Sequence, residues 1–312
     1  MSSSKKSKII DIEDLVMPCE KSNKKSKRPA KIIKSEIISA SRRTDIPAFY
    51  MDIVLLAMKN KVIDVVQKFG YVSKISLDPV DVKCFVWWSK NYKNWIECFK
   101  QNTRLFNQYK HMFNFTINDS TFLESGVELS LDERLEQLKF LADTFGSNCI
   151  KYRFDPIVKW IDIKTGTECN NFHKFNKIVK FISQCGVKEV IFAFCISYNH
   201  VFQHMKKKGK LLVDFQIDEK QHIIDRMIKI TDKYDVRLSA CCNDTIVNSN
   251  KKIFKSKCVD GDAVEHIIEQ NLSHNTKDKG QRAECNCAVS RDIGSYTMKC
   301  LHSCDYCYAN PS

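Results

Sequence analysis

The sequence predicts an α/β chain whose ordered part is a partial (β/α), TIM-barrel-like barrel of about six parallel strands. Three observations predict it. Short, β-rich apolar runs alternate with longer amphipathic segments from residue 36 to residue 240, the pattern of parallel strands joined by helical crossovers. Gly146 and Gly186 stand where two of those helices should stop. A length of 312 residues, 43% hydrophobic and 28% charged, accommodates one globular barrel of roughly 250 residues.

Residues 1–34 contain SSSKKSK and KSNKKSKRPAK, are poor in aromatics, and read as a disordered basic tail. The barrel-like domain is expected over residues 35–312. EIISA (36–40) is a buried strand that runs into the polar loop Ser41–Asp45. Pro47 then suits the first turn of a helix continuing through AFYMDIVLLAMKN. VIDVVQKFGYVSKISL forms a small hairpin that turns at Gly70. CFVWWS (84–89) is a strand and YKNWIECFKQNTRLF a helix; HMFNFTI (111–117) is a strand and LDERLEQLKFLADTFG a helix. CIKYRF (149–154) precedes a helix over NFHKFNKIVKFISQCG. KEVIFAFCI (188–196) precedes helical segments reaching Tyr234, and VRLSA (236–240) is the sixth strand. A helix near residues 261–270 leads into a C-terminus rich in cysteine and without periodicity.

Composition narrows the function. Only 9 glycines are present, with neither GxGxxG nor GxxxxGK[ST], which argues against glycine-rich nucleotide loops. No apolar run reaches the roughly 18 residues of a membrane span, so no membrane partner is expected. MSSSKKSKIIDIEDL lacks a signal-peptide core, which points to an intracellular, reducing compartment. Fifteen cysteines there are metal ligands or catalytic groups rather than disulfides. The net charge of +13 is largely lysine. It reads either as solvated surface or as a basic surface, the tail included, for nucleic acid.

Five of the fifteen cysteines fall in the last 28 residues. Cys300, Cys304 and Cys307, spaced x3 then x2, can present three soft thiolates from one loop to one metal cluster. A closed cluster or structural zinc needs four ligands, so three leave one metal open. Cys285 and Cys287 could supply a fourth ligand, bind a second metal, or remain thiols. A zinc site from these two and two later cysteines is the main alternative. Ser41-Arg42-Arg43-Thr44-Asp45 follows the first strand at the edge where parallel folds gather functional groups. Arg42 and Arg43 could grip a carboxylate or phosphate, or the segment could simply form an internal Arg–Asp salt bridge or cap the Pro47 helix through Thr44 or Asp45. Arg153 and Asp155 follow a later strand in the same way. Trp87, Trp88 and Lys90 end a strand, and a core tryptophan is the simpler reading. His200 and His204 have no HExxH around them. Cys241 and Cys242 follow a strand, with Cys241 able to face a site, although a buried free cysteine is the commoner outcome.

CLHSCDYC, with Tyr306 just before Cys307, resembles the signature of radical S-adenosylmethionine (SAM) enzymes. YCYAN resembles the ending seen around spore photoproduct lyase and its relatives. The resemblance implies a [4Fe–4S] cluster on Cys300, Cys304 and Cys307, with Tyr306 as the motif's aromatic. It also implies SAM on the fourth iron, an electron donor such as a flavodoxin or ferredoxin, and hydrogen abstraction from a substrate left unnamed. More broadly, ISASRRTDIPAFY, VWWSKN, YRFDPI, CVDG, GQRAECNCAVSRDIGSY and CxxxCxxCYAN resemble the blocks of an uncharacterised bacterial family, domain of unknown function 1848, noted for radical-SAM-like cysteines at its C-terminus. The loop stands at the chain's end rather than after a first strand, and no GGE-like segment accompanies it. The leading expectation is an iron–sulfur enzyme of radical SAM type, with Arg42, Arg43, Asp45, Arg153 and Asp155 contacting SAM or substrate. The alternative is a non-enzymatic zinc or closed iron–sulfur protein with a nucleic-acid-binding arm.

Overall fold

In the computed structural model, which describes residues 31–118 and 122–309, the alternating pattern becomes an eight-stranded parallel sheet. In chain order the strands are β1 (Ile37–Ala40), β2 (Val62–Val66), β3 (Val72–Ser76), β4 (Cys84–Ser89), β5 (Lys110–Thr116), β6 (Ile150–Ile157), β7 (Lys159–Asp162), β8 (Glu168–Asn170), β9 (Glu189–Phe194), β10 (Lys210–Val213), β11 (Arg237–Ala240), β12 (Ile253–Lys255) and β13 (Arg291–Asp292). The helices are α1 (Ile46–Phe49), α2 (Met51–Asn60), α3 (Lys93–Gln101), α4 (Thr103–Phe106), α5 (Leu131–Phe145), α6 (Phe175–Gln184), α7 (Asn199–Lys207), α8 (Ile217–Lys233), α9 (Asp244–Ser249) and α10 (Gly261–Ile268).

The sheet order is β12-β11-β9-β6-β5-β4-β1-β13. Its six central members are the strands read from the sequence. Two short ones, β12 and β13, extend the edges, so the count of about six is corrected to eight. Neither extra strand carries an apolar run long enough to announce itself: IFK has three residues and RD two. A second correction concerns residues 210–213, expected within helical segments. KLLV instead pairs antiparallel with β7, which also pairs with β8. Four apolar-rich residues between helices have no period of their own. The hairpin forms as read, β2 against β3 with Gly70 at φ +79. Ile33 joins it through backbone bonds to Lys74 and Ser76. The basic tail falls, up to residue 30, outside the described residues.

Strand alternation splits the sheet into two faces. Ile38, Phe85, Trp87, Phe113, Tyr152, Phe192 and Leu238 point into the main core beneath the helices. That core is aromatic-rich: Trp95 meets Trp87, Phe106 and Phe113 edge-on, a geometry that adds about 0.5–1.5 kcal/mol per pair beyond area burial. α5 begins at a capping box of Ser130 and Glu133, which contributes about 1 kcal/mol. The opposite face carries Ile37, Cys84, Val86, Met112 and Ile191. These pack against Cys258, Val259, Val264, Leu272, Cys285 and Cys287. The chain thus leaves one sheet edge at β12, crosses this second face, and rejoins the sheet at the other edge as β13. That crossing brings the C-terminal cysteines to the sheet.

Candidate metal and substrate site

At the C-terminal ends of the parallel strands lies a cavity of about 410 Å³. Arg42, Arg43, Asp45, Arg153, Asp155, Cys285, Cys287, Cys300, Cys304, Tyr306 and Cys307 all line it. Residues 257 positions apart in sequence, Asp45 and His302, meet here because β1 is the neighbour of β13. Trp87 and Trp88 part company by alternation: Trp87 is core, while Trp88 lines the cavity.

The loop with Cys300, Cys304 and Cys307 is held from below by a buried polar network. Glu124 bridges to Cys304 through the backbone, and Asp305 N–H donates to Leu123 C=O at 2.8 Å. The Tyr306 hydroxyl meets the Glu124 carboxylate, Asn118 Nδ2 at 3.0 Å and Lys90 Nζ at 2.9 Å. Lys90 Nζ also lies 2.8 Å from Glu124, and Arg134 Nη1 lies 3.6 Å away. Burial opposes ionisation of Glu124, but Lys90 and Arg134 outweigh it and hold the carboxyl below its usual range. Tyr306 is therefore an anchor of the loop: burial, then the Glu124 charge, push its hydroxyl well above the ordinary phenol value. Gly126 makes the close approach possible. Its N–H donates to His302 C=O at 2.8 Å, and an added Cβ would stand 2.1 Å from Leu301 O.

Asp45 ties the other side of the loop. Its carboxylate accepts from Ala48 N–H as the cap of α1, from Ser89 Oγ, from Lys90 N–H and from His302 Nε2 at 2.7 Å. Arg43 is likewise engaged, donating to Gly294 C=O at 2.8 Å and lying over Tyr296. Arg42 and Arg153 behave differently. Their guanidinium groups lie 5.5 and 5.3 Å from the Trp88 ring centroid. Arg153 donates to Cys258 Sγ at 2.6 Å and pairs with Asp155. The Nη2 of Arg42 is buried without a partner.

The thiols divide into two groups. Cys300, Cys304 and Cys307 influence one another. Burial pushes Cys300 up to about 11 and Cys304 well above its ordinary value. Cys285 and Cys287 belong elsewhere. Cys285 interacts with Cys242 and Cys287, Cys287 with Cys258, and Cys241 Sγ lies 3.8 Å from Cys258 Sγ. Hydrogen bonds from Cys241 and Cys287, with the charges of Arg153 and Arg42, hold the Cys258 thiol well below its usual range against burial.

Among the described residues no three His, Cys, Asp or Glu side chains converge as ligands of one metal ion. An iron–sulfur cluster makes another demand, because its thiolates are spread over several irons. Three thiols on one cavity wall, two of which, Cys300 and Cys304, are kept protonated by desolvation, fit a cationic iron core that would favour their thiolates. Sequence reading missed Glu124, Asn118, Arg134 and His302, whose signal is spatial only. It held Cys258 merely as part of CVDG. His200 and His204 do not line the cavity; His200 Nε2 sits 3.2 Å from Tyr308 C=O. No helix among the described residues is long and apolar enough to cross a membrane.

A family model described as domain of unknown function (DUF1848) matches residues 37–309. No curated protein and no solved structure matches the chain.

Proposed function

The chain belongs to the domain of unknown function 1848 family, and from that premise we propose that it is an iron–sulfur enzyme of radical SAM type, its parallel sheet acting as a partial barrel around the cavity. The carrying observation is the division of the thiols. Cys285 and Cys287 interact with Cys242 and Cys258 on the second face of the sheet, which supports a cluster on the three cysteines of the Cys300 loop with one iron open. Open coordination is what separates catalytic from structural metals. Such a cluster, when bound, supplies the electron that cleaves SAM to methionine and a 5′-deoxyadenosyl radical.

The chain's own residues hold and shield. Asp45, through His302 and the Lys90 backbone, fixes the cysteine loop against β1 and β4. Glu124, Lys90 and Tyr306 fix it from the opposite side. Asp155 pairs with Arg153 through one oxygen and keeps 24% side-chain exposure; its other oxygen is the one we assign to the ammonium group of SAM. A flavodoxin or ferredoxin is the class of electron donor this chemistry requires, and the basic N-terminal tail remains a candidate nucleic-acid arm.

Anaerobic reconstitution tests the assignment. The protein should be brown and carry about four irons in the Cys300 loop. Replacing Cys300, Cys304 or Cys307 singly with Ala should release most of that iron. Three variants that all keep wild-type iron would refute the assignment.

A further inference from the structure

Outside the Cys300 loop, five thiols from three separate segments meet on the second face of the sheet. Cys241 and Cys242 follow β11, Cys258 follows β12, and Cys285 and Cys287 precede β13. Their contacts close a ring. Cys241 Sγ lies 3.9 Å from Cys242 and 3.8 Å from Cys258. Cys258 meets Cys287, Cys287 meets Cys285, and Cys285 meets Cys242. A packing role would ask for small apolar residues here, as cysteine often serves in cores. It would not ask for guanidinium groups. Yet Arg153 Nη1 donates to Cys258 Sγ at 2.6 Å, and buried Nη2 of Arg42 has no partner. A neutral thiol is a weak acceptor, and an unpaired buried donor is costly. Both arginines instead suit an anion built from thiolates.

We propose that Cys258, Cys285 and Cys287, with one of the adjacent Cys241 and Cys242, hold a second iron–sulfur cluster, and that Arg153 and Arg42 balance its negative charge. Four thiolates close a two-iron or four-iron cluster. Sulfurs 3.8–3.9 Å apart are spaced as two thiolates on one tetrahedral metal with bonds of about 2.3 Å. Among the described residues no three converge on one ion, so thiols taken in pairs suit a two-iron cluster with two cysteines on each iron rather than one zinc ion. Cluster binding here is ligand exchange: each thiol loses its proton as its sulfur joins iron. The site uses other thiols than the Cys300 loop on the shared cavity, so it stands whether or not that loop binds SAM.

The test is iron and acid-labile sulfide counting on the anaerobically reconstituted full chain, with a triple variant Cys300→Ala, Cys304→Ala and Cys307→Ala beside it. Wild type should carry about two or four irons beyond the four of the Cys300 loop. The triple variant should keep that second complement, with equal sulfide and a cluster absorption band that SAM does not alter. Cys258→Ala with Cys287→Ala should lose only the second complement. A triple variant holding no metal, or one zinc without sulfide, would overturn the proposal. If the triple variant fails to fold, native mass spectrometry of the wild-type chain decides. Two clusters per chain support the second site, and one cluster refutes it. Failure of the SAM response alone would leave the second complement intact, so the two assignments fail separately.

Discussion

Glu124 shows what a single residue does for the site. It is 1% exposed and lies between half-buried Lys90, buried Arg134 and the Tyr306 hydroxyl. Removing one partner of a buried charge group costs about 3–5 kcal/mol, because the remaining charges stay desolvated. Glu124→Gln should therefore lower stability by about that amount and loosen the loop bearing Cys304, which urea unfolding and iron retention would read. A fully wild-type unfolding midpoint would contradict the network's role. The carboxyl is held below its ordinary value in the fold, so its stabilisation is complete above the unfolded value near 4.3. It is lost as pH falls through the lower folded value. Nothing in the one-dimensional pattern marks Glu124: it stands in a polar stretch, and its partners are 34, 10 and 182 positions away. The cysteine triad was legible because its chemistry depends on spacing within one loop. Asp45 was half legible. The helix cap weighed from the sequence is present, while its bond to His302 depends on the meeting of β1 and the C-terminus.

At the scale of elements, the six central strands were legible because each is an apolar run bounded by polar turns, and because the helices between them keep their period. β7, β8 and β10 were not: KWID and ECN carry no apolar run, and KLLV lies between two amphipathic helices whose period masks it. β5 and α4 share a testable device. His111 Nδ1 accepts from Trp87 Nε1–H at 3.0 Å, and its Nε2 faces Phe106 C=O at 3.0 Å. Indole N–H only donates, so the neutral Nε2–H tautomer is the one that fits. Burial lowers the imidazole to about 4. The unfolded state therefore binds the extra proton first, near pH 6.5. Stability is full above that pH and declines by about 3 kcal/mol as pH falls to about 4. His111→Leu should be less stable at pH 7.5 and show a flatter pH dependence over that window; an unchanged slope would contradict the assignment. Gly126 belongs to the same scale. Ala there would drive a Cβ into the backbone at Leu301. The expected result is a displaced cysteine loop, with lower iron uptake and a core whose far-ultraviolet circular dichroism is preserved.

For the whole molecule, the decisive feature is the path of residues 253–309. They leave one edge of the sheet, cover its second face, and rejoin it beside β1, which sets two groups of cysteines on one cavity. The sequence carried the cysteines but not their partition, because partition depends on which strands are neighbours. Removing residues 1–30 should leave the melting temperature unchanged, since that composition lacks a core-forming pattern. If the arm serves nucleic acid, the same truncation should weaken DNA binding and flatten its salt dependence. The central claim is that the Cys300 loop keeps one iron open to SAM. It is tested most directly by the electron paramagnetic resonance spectrum of the reduced protein, recorded with and without SAM, in wild type and in Cys285→Ala with Cys287→Ala. SAM should shift the signal in both proteins, and dithionite should slowly yield 5′-deoxyadenosine. A spectrum that SAM leaves unchanged in wild type, with loss of the Cys300-loop cluster in the double variant, would show a closed four-cysteine site and contradict it.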